Sequence, residues 1–256
     1  MRNDIVGLRE TADSILAQNS EDYEWIVIDG DSTDGCVSFL ESASIKCLHW
    51  RSEPDTGIYQ AMNKGVALAK GAYLVFLNAG DWFPEDKTLD CVKTQLTSAD
   101  QTVDALFGGA MLMLQSGKSV YRGPKELSSY IWHGLPSIHQ ATYYRREILE
   151  AAPYDETYEI TGDYDLMARL YVLGISSKTL NRAVVNFRVG DTSYRKPLQL
   201  LIEANRVQRD VLKLGRYRRV FSLARKVITI IAYRLLAWNC IPDIVMRMMS
   251  PPKQNE

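Results

Sequence analysis

The sequence predicts an α/β fold in which a mostly parallel central sheet carries helices on its faces. One observation is that short apolar segments alternate with stretches whose apolar residues recur at helical spacing. Another is that two apolar segments, 25–28 and 73–77, run directly into Asp, Gly and small polar residues. Because ligands bind at the carboxyl ends of strands in an open parallel sheet, we expect these two acidic ends to meet at one crevice.

The composition favours one large domain with a tail. The chain has 256 residues and is 46% hydrophobic, and its formal net charge of -1 gives no global field that would favour nucleic acid. The cysteines, Cys36, Cys47, Cys91 and Cys240, form no Cys-x-x-Cys pair, so we expect neither a disulfide framework nor a zinc site. Because the start also lacks the apolar run of a signal peptide, we expect a cytoplasmic protein.

The predicted elements alternate through the first third of the chain. They are a helix over 5–18, strands at 25–28 and 45–50, a loop over 52–57, a helix over 58–70 ended by Gly71, and a strand at 73–77. Further along we expect paired strands at 103–114 and 118–122, a short helix at 126–132, a strand at 139–144, and helices over 163–173 and 197–214. The chain thus starts on a helix, whereas a parallel α/β unit is expected to start on a buried strand.

The first acidic strand end carries Asp29, Asp31 and Asp34. Asp29 is placed to accept a hydrogen bond from a base or a ribose. The alternative is a turn that caps the next helix through Ser32 or Thr33. Both interpretations can hold at once.

The second acidic strand end is Asn78-Ala79-Gly80-Asp81. Hard divalent cations take oxygen ligands, and a nucleotide diphosphate would complete a shell begun by one carboxylate. The alternative is a type I turn, in which Asn and Asp make local hydrogen bonds. The presence of the first acidic strand end favours the metal interpretation.

A third candidate is Asp55-Thr56-Gly57, which precedes the 58–70 helix. It offers backbone donors and a positive helix end to an anion. Asp55 would also suit an N-cap, and Lys64 within the helix is equally well explained as a solvated side chain.

Asp163 and Asp165 open a later helix. Two residues apart, they point to different faces, so one can act as a general base while the other caps the helix or faces solvent. Acids are in any case favoured at helix starts. His139 is expected to be structural, and Arg145-Arg146 is either a phosphate contact or a surface pair.

In their order, these segments resemble the family 2 glycosyltransferases, which are inverting enzymes with the GT-A fold. Within that family the chain looks like the bacterial branch that builds capsule, exopolysaccharide or O-antigen repeat units. The resemblance covers about residues 4–195 and is carried by 27–35, 52–65, 76–81, 139–141 and 162–166. The ordered set is highly specific, although each piece alone is not.

The resemblance implies a role for each candidate residue. The nucleotide-sugar contacts that it implies are Asp29, Asp31, Asp55, Lys64 and Asn78. Asp29 resembles the acid that binds the nucleotide base, and Asp81 falls where the family holds Mg²⁺ or Mn²⁺ on the diphosphate. Asp163 aligns with the carboxylate that deprotonates the acceptor hydroxyl. That hydroxyl attacks the anomeric carbon opposite the departing diphosphate, whose charge the metal stabilises.

The chain departs from the family pattern at several acids. The usual Asp-x-Asp-Asp becomes Asn78-Ala79-Gly80-Asp81, which leaves one anionic ligand and implies modest metal affinity. Gly30 and Gly162 stand where the family often has acids. Family members also begin with a strand that lies between the 25–28 and 73–77 strands. We therefore expect an N-terminally shortened glycosyltransferase domain over 1–195 and a helical tail over 196–256.

The tail is basic at its start and apolar afterwards. The basic cluster is Arg216, Arg218, Arg219, Arg225 and Lys226. The mostly apolar stretch from Val227 to Ile241 is shorter than the roughly 20 residues that span a bilayer. This pattern predicts either an amphipathic helix lying on an anionic membrane surface or a helix packed on the domain.

The sequence therefore predicts a metal-dependent transferase of cell-surface polysaccharide biosynthesis. The expected donor is a nucleotide-sugar, with UDP as the expected nucleotide, and the expected acceptor is a saccharide linked to a lipid such as undecaprenyl. One alternative is a sugar nucleotidyltransferase, whose Gly-rich, Lys/Arg-containing loop is not seen. Another is a non-catalytic, membrane-associated scaffold, which the thinned acidic motif would favour.

Overall fold

The computed structural model of the chain describes residues 1–97, 102–114, 117–189 and 196–237. Its first elements are α1 (Ile5–Leu16), β1 (Trp25–Asp29), α2 (Cys36–Ser42), β2 (Leu48–Ser52), α3 (Ile58–Leu68) and β3 (Tyr73–Leu74). Next come α4 (Thr88–Thr97), β4 (Ala105–Met113), β5 (Ser119–Arg122), α5 (Leu127–Tyr130) and a 3₁₀ turn (His139–Ala141). The last are β6 (Thr142–Arg145), α6 (Arg146–Ala151), α7 (Gly162–Val172), β7 (Ser177–Arg188), α8 (Pro197–Asp210) and α9 (Arg216–Ala237).

The strands form two sheets, and each sheet contains a parallel pair. β1 and β2 are parallel, with Asp29 opposite Ser52. In the larger sheet the order is β3-β6-β4-β5, and β7 lies parallel to β4. The other pairs of this sheet are antiparallel, including the β4–β5 hairpin predicted from 103–114 and 118–122. The predicted α/β class, with parallel strands and flanking helices, is confirmed, and the larger sheet is mixed.

Two predicted strands differ from the structure in extent. From 73–77 only Tyr73 and Leu74 enter a sheet, and within the described residues Val75–Leu77 make no backbone hydrogen bond. The segment 139–144 starts as a 3₁₀ turn and becomes a strand only at Thr142. The turn forms because the backbone N–H of Ala141 and the hydroxyl of Thr142 both donate to the Ile138 carbonyl, at 3.0 Å each.

Met1 lies beside β1 on the edge that β2 leaves free. Its amino group donates to the Ile28 carbonyl at 2.8 Å, and the Gly30 N–H donates to the Met1 carbonyl at 2.8 Å. Because Met1 bonds the residues on either side of Asp29, it lies opposite Asp29 in the register of a parallel strand. Among the described residues no strand joins β1 to β3, and the predicted N-terminal shortening of the domain stays a prediction.

α6, α7 and α8 pack on the larger sheet. The main core joins Tyr59 of α3, Phe107 of β4 and Leu166 of α7 with Ala204 and Val207 of α8. α8 therefore shares the core of the predicted transferase domain, and the boundary predicted at 195/196 stays a prediction.

Both interpretations of the tail find support in α9. Its inner face is packed, since Ser222 is fully buried and Ile230 is 8% exposed, whereas its outer face exposes apolar side chains. Lys226 does not belong to the surface basic cluster, because its Nζ donates inward to the His133 carbonyl. None of the described helices is both long and apolar enough to cross a membrane. The part of the apolar stretch from Trp238 to Ile241 lies outside the described residues.

We predict that Gly57→Ala lowers the free energy of unfolding by about 1–3 kcal/mol, because Gly57 holds a backbone conformation (φ 156°, ψ 173°) essentially reserved for glycine. No neighbour lies within 4 Å of the added Cβ, so the effect isolates backbone strain. Gly215→Ala is the matched control: that glycine also precedes a helix in open space, without a positive φ. Urea unfolding of both variants measures the difference, and equal effects would contradict the strain argument.

Candidate active site

Asp29 ends β1 and is fully buried. One carboxylate oxygen accepts from the Ser32 hydroxyl at 2.6 Å, and the other from the Ser32 N–H at 2.9 Å and the Ser52 hydroxyl at 2.7 Å. Burial would raise the pKa of Asp29, but these hydrogen bonds and the Met1 ammonium outweigh it and lower the pKa. Asp29 thus organises the ends of β1 and β2. Its contact with a nucleotide base stays a prediction.

The turn after β1 is not a helix cap made by Ser32 or Thr33, which was the alternative prediction. The N-cap of α2 is Gly35, with no side-chain cap bond, because Ser32 is engaged by Asp29 and by the Asn3 N–H. Asp34 accepts from the Ile5 N–H at 2.8 Å, which ties the turn to the start of α1. Asp31 is exposed and has a left-handed φ of 61°.

The structure brings Asp55 next to Asp29. A Cβ added at Gly30 would lie 2.6 Å from Asp55 Oδ2, so the Asp55 carboxylate lies over Gly30. This contact explains why glycine stands where the family often has an acid. Asp55 is not the N-cap of α3, since Gly57 holds that position. Lys64 is not simply solvated either: its Nζ pairs with Glu53 at 2.8 Å and donates to the Pro54 carbonyl at 3.3 Å, which holds the loop that carries Asp55.

The loop from Asn78 to Asp81 is fastened to α1. The Thr11 hydroxyl donates to the Asp81 carbonyl at 2.8 Å and accepts from the Gly80 N–H at 3.0 Å. Gly80 has a φ of 87°, and its N–H lies 2.7 Å from where a Cβ on Gly7 would be, so the loop and α1 approach closely. α1 therefore connects this loop to the turn after β1.

Asp81 is 2% exposed and has no cationic partner within ion-pair distance in the described chain. Its carboxylate accepts from the Gln140 amide at 3.1 Å, and more weakly from the N–H groups of Asn78 at 3.3 Å and Arg188 at 3.4 Å. Burial raises the pKa of Asp81 to about 6, although His139 and Gln140 oppose the shift. It is therefore a buried carboxylate whose charge is poorly compensated.

The dipeptide His139-Gln140 lies between Asp81 and the candidate base, Asp163. Gln140 bonds Asp81, while His139 Nδ1 lies 3.5 Å from Asp163 Oδ2. Asp163 Oδ1 accepts from the Tyr164 N–H at 2.8 Å. Both members of the His139–Asp163 pair keep partly exposed side chains, at 16% and 18%. His139, which was expected to be structural, faces the candidate base, and its buried Nε2 has no partner among the described residues.

The first turn of α7 separates its two acids, as the helical spacing predicted. Asp165 is 3% exposed and pairs with Arg169 at 2.8 Å one turn later, whereas Asp163 faces His139. Tyr59 holds the segment before α7, because its hydroxyl donates to the Ile160 carbonyl at 2.7 Å. A Cβ on Gly162 would lie 2.7 Å from the Tyr59 ring, which accounts for glycine at this second departure from the family.

Glu203 of α8 holds the segment before Asp163, and sequence reasoning missed it. This buried carboxylate accepts from the N–H groups of Glu159, Ile160 and Thr161 at 2.9–3.0 Å. Burial would raise the pKa of Glu203, but the bonds from Gln199 and these N–H groups lower it.

The described residues would not by themselves enclose a metal ion. Among the described residues no three His, Cys, Asp or Glu side chains are grouped as ligands would be. Asp81 fits the role of a single anionic ligand, because its buried carboxylate has no cationic partner in the part of the chain that the structure describes. The other ligands would have to come from elsewhere, and phosphate oxygens are suitable hard donors.

The predicted GT-A fold is confirmed by its likeness to solved structures. The chain is similar to S. aureus TarS 1–349 in complex with UDP-GlcNAc, with a TM-score of 0.66 at 15% identity over 88% of this chain and 70% of that one. It is also similar to the mannosyltransferase PcManGT from Pyrobaculum calidifontis in complex with GDP-Man and Mn²⁺, with a TM-score of 0.64 at 17% identity over 97% and 80% of the two chains. At such identities the likeness shows the fold alone.

The chain belongs to glycosyl transferase family 2, whose family model matches residues 1–151. It is 32% identical over 200 residues to an uncharacterized glycosyltransferase of Mycobacterium tuberculosis, which covers 76% of this chain and 75% of that one. It is 30% identical over 164 residues to a PGL/p-HBAD biosynthesis glycosyltransferase of Mycobacterium bovis, with 62% of each chain covered. The predicted family and a glycosyl-transfer activity are confirmed, and the capsule or O-antigen branch stays a prediction.

We predict that Glu203→Gln lowers the free energy of unfolding by about 1.5–3 kcal/mol at pH 7, because the amide loses the charge that the three N–H groups bond. Since the folded pKa of Glu203 is lowered, its contribution is present above the ordinary value of 4.5 and is lost as pH falls through the folded pKa. Urea unfolding from pH 7 down to pH 3 should therefore show the two proteins converging.

The exposed Glu147 supplies the control, because its side chain is 69% exposed beside Arg145. Glu147→Gln should change stability by less than about 0.5 kcal/mol at every pH. A Glu203→Gln deficit that stays constant down to pH 3 would contradict the linkage.

Proposed function

We propose that this chain transfers a sugar, with inversion, from a nucleotide-sugar to a saccharide hydroxyl in the synthesis of a cell-surface glycan. The carrying observation is the bridge in which Gln140 bonds Asp81 and His139 faces Asp163. The dipeptide His139-Gln140 thereby contacts both carboxylates. Asp81 suits the diphosphate side of the reaction, and Asp163 suits the acceptor side. UDP is our expected nucleotide.

In the proposed reaction Asp163 accepts the proton of the acceptor hydroxyl. The hydroxyl oxygen then forms its bond to the anomeric carbon from the face opposite the diphosphate, the bond from that carbon to the phosphate oxygen breaks, and the electron pair leaves with the diphosphate. The Tyr164 N–H on Oδ1 and His139 beside Oδ2 orient the carboxylate for this proton transfer. Glu203 supports the same geometry by fixing the chain before α7.

We propose Mg²⁺ or Mn²⁺ as cofactor, held by Asp81 and the donor phosphates. When bound, the cation would stabilise the charge that develops on the leaving diphosphate. The poorly compensated charge of Asp81 supports this assignment, as does the Mn²⁺ bound with GDP-Man in the PcManGT complex. Asn78, with its N–H on Asp81, supports the ligand's orientation.

The proposed donor class rests on similar proteins and on the acidic residues at the ends of β1 and β2. The TarS complex contains UDP-GlcNAc and the PcManGT complex contains GDP-Man, and both ligands are nucleoside diphosphate sugars. Asp29 and Asp55 lie together at the ends of β1 and β2, where we place the nucleoside, with Asp31 beside it and Lys64 bracing the Asp55 loop.

We also propose that α9 lies on the cytoplasmic face of a membrane, close to a lipid-linked acceptor. Its exposed side chains at 217, 221, 224, 228 and 231 recur every three or four residues and so form one stripe. Helical spacing places Arg216 on one flank of the stripe and Arg218 and Arg225 on the other. An apolar stripe between arginines matches the interface of an anionic leaflet.

A non-catalytic scaffold is the second candidate, because Asn78 and Gly80 replace acids and the described residues hold no ligand cluster. It predicts that the chain binds membranes without binding a donor. The two functions therefore differ in one measurable property, metal-dependent nucleotide binding.

We predict that Asp163→Asn abolishes sugar transfer but leaves UDP binding in Mn²⁺ unchanged within about twofold, because this residue acts on the acceptor. Asp81→Ala should lose both transfer and the metal dependence of UDP binding. Calorimetry with UDP and a donor screen with radiolabelled sugars measure the two properties, with Asp90→Asn as an exposed control.

Full transfer by Asp163→Asn would remove its assignment as base. Absence of UDP binding to the unaltered chain, with or without Mn²⁺, would favour the scaffold.

We predict that the full chain binds phosphatidylglycerol-containing vesicles and that Ile228→Ser/Ile231→Ser weakens binding at least tenfold, since each side chain loses apolar burial of about 1.5–3 kcal/mol. Val172→Ser/Leu173→Ser is the control, because those side chains are as exposed (61% and 72%, against 66% and 52%) but lie on α7 and just after it. Vesicle sedimentation at low salt measures binding. No binding by the unaltered chain, or equal losses in both double variants, would reject the membrane assignment.

A further inference from the structure

Lys226 carries a positive charge from α9 to the neighbourhood of Asp163. Its Nζ donates to the His133 carbonyl and lies 5.2 Å from the ring centroid of Tyr164, the residue after Asp163. Burial lowers the pKa of Lys226 to about 8, and the Asp163 carboxylate is the charge that opposes this shift. The ammonium group is therefore partly buried, close to the start of the helix that carries the candidate base.

Arg122, at the end of β5, approaches the same segment. Its Nη2 donates to the Leu135 carbonyl at 3.3 Å, two residues beyond the carbonyl that Lys226 holds. The two cations are close enough that Arg122 lowers the pKa of Lys226. Within the described chain neither has a carboxylate oxygen within the 4.0 Å of an ion pair.

This arrangement is costly for a purely structural role. Two half-buried like charges repel each other, and a buried charge is normally paired. Neutral donors would satisfy the carbonyls of His133 and Leu135 without that cost. Asp163 offsets part of the positive charge of Lys226, but the same carboxylate also faces His139. Among the described residues, Lys226 and Arg122 together therefore carry more positive charge than Asp163 offsets.

We propose that Lys226 and Arg122 bind an oxyanion of the acceptor, positioned beside the hydroxyl that Asp163 deprotonates. This inference rests on the proposed function for the side on which the acceptor lies. Lysine offers a point charge and arginine a planar fork, and both suit phosphate and carboxylate oxygens. The acceptor class is then a sugar phosphate, as in a phosphate-linked lipid carrier, or a uronic acid. Lys226 and Arg122 are specificity-determining residues in this proposal.

The test compares three soluble probes: glucose 1-phosphate, glucuronic acid and methyl glucoside. Each is titrated into the full chain without metal or donor and followed by ligand-observed NMR. We expect the unaltered chain to bind at least one charged probe more tightly than methyl glucoside. Lys226→Gln and Arg122→Gln should each weaken that probe by about tenfold or more, since each removes a charge-assisted hydrogen bond. Lys226→Arg should retain most of the affinity.

The control is Lys46→Gln, which removes one positive charge from an exposed site before β2. Its affinity for every probe should equal that of the unaltered chain. The tighter of the two charged probes identifies phosphate or carboxylate as the oxyanion. Thermal melting reports whether each variant is folded, and Arg122→Gln carries the test if Lys226→Gln is not.

The inference would be overturned if Lys226→Gln and Arg122→Gln both bound the charged probe as tightly as the unaltered chain does. It would also be overturned if Lys46→Gln lost as much affinity for that probe as these two variants do. UDP binding is measured on the same samples. Intact UDP binding with no effect of either variant rejects only the oxyanion site, whereas absent UDP binding in the unaltered chain rejects the proposed function.

Discussion

The contact between Gln140 and Asp81 is the constraint on which the site geometry depends. It joins a loop after β3 to the turn before β6, fifty-nine residues apart, and so sets the position of His139 against Asp163. The turn itself forms because the Ile138 carbonyl accepts two local hydrogen bonds, which keep His139 and Gln140 out of the sheet. If these residues paired as a regular strand, their side chains would alternate to opposite faces. Because His139 and Gln140 do not pair as a regular strand, their side chains can contact Asp163 and Asp81.

Three supports outside the site hold that contact in place. Thr11 of α1 fastens the Asp81 loop, Glu203 of α8 fastens the chain before Asp163, and Tyr59 of α3 packs under Gly162. Each support comes from a helix packed against a sheet, so the side chains that surround the candidate carboxylates are held by rigid elements. Such preorganisation is what electrostatic stabilisation of a charged transition state requires.

The sequence predicted the parts of the fold that local physics determines. Helical periodicity located α1, α3 and α7, and the switch from apolar residues to Asp and Gly located the end of β1. Residues 73–77 carried the same apolar signal as β1, but pairing depends on a neighbouring strand, and only Tyr73 and Leu74 have one in the described chain. Glu203 and Lys226 were missed or misplaced for the same reason. Their partners lie more than forty residues away, and no local pattern distinguishes a buried Lys226 from Arg225 beside it.

The two faces of α9 differ in what they contact. The inner face carries Lys226, and the outer face exposes an apolar stripe. A single rigid helix cannot shift one face without shifting the other. If a bilayer favours the packed position of α9, it must raise the affinity for an acceptor oxyanion, and the acceptor must strengthen attachment to the bilayer by the same factor. The helix would then make the surface itself an effector, so that the enzyme is most competent where its substrate is anchored.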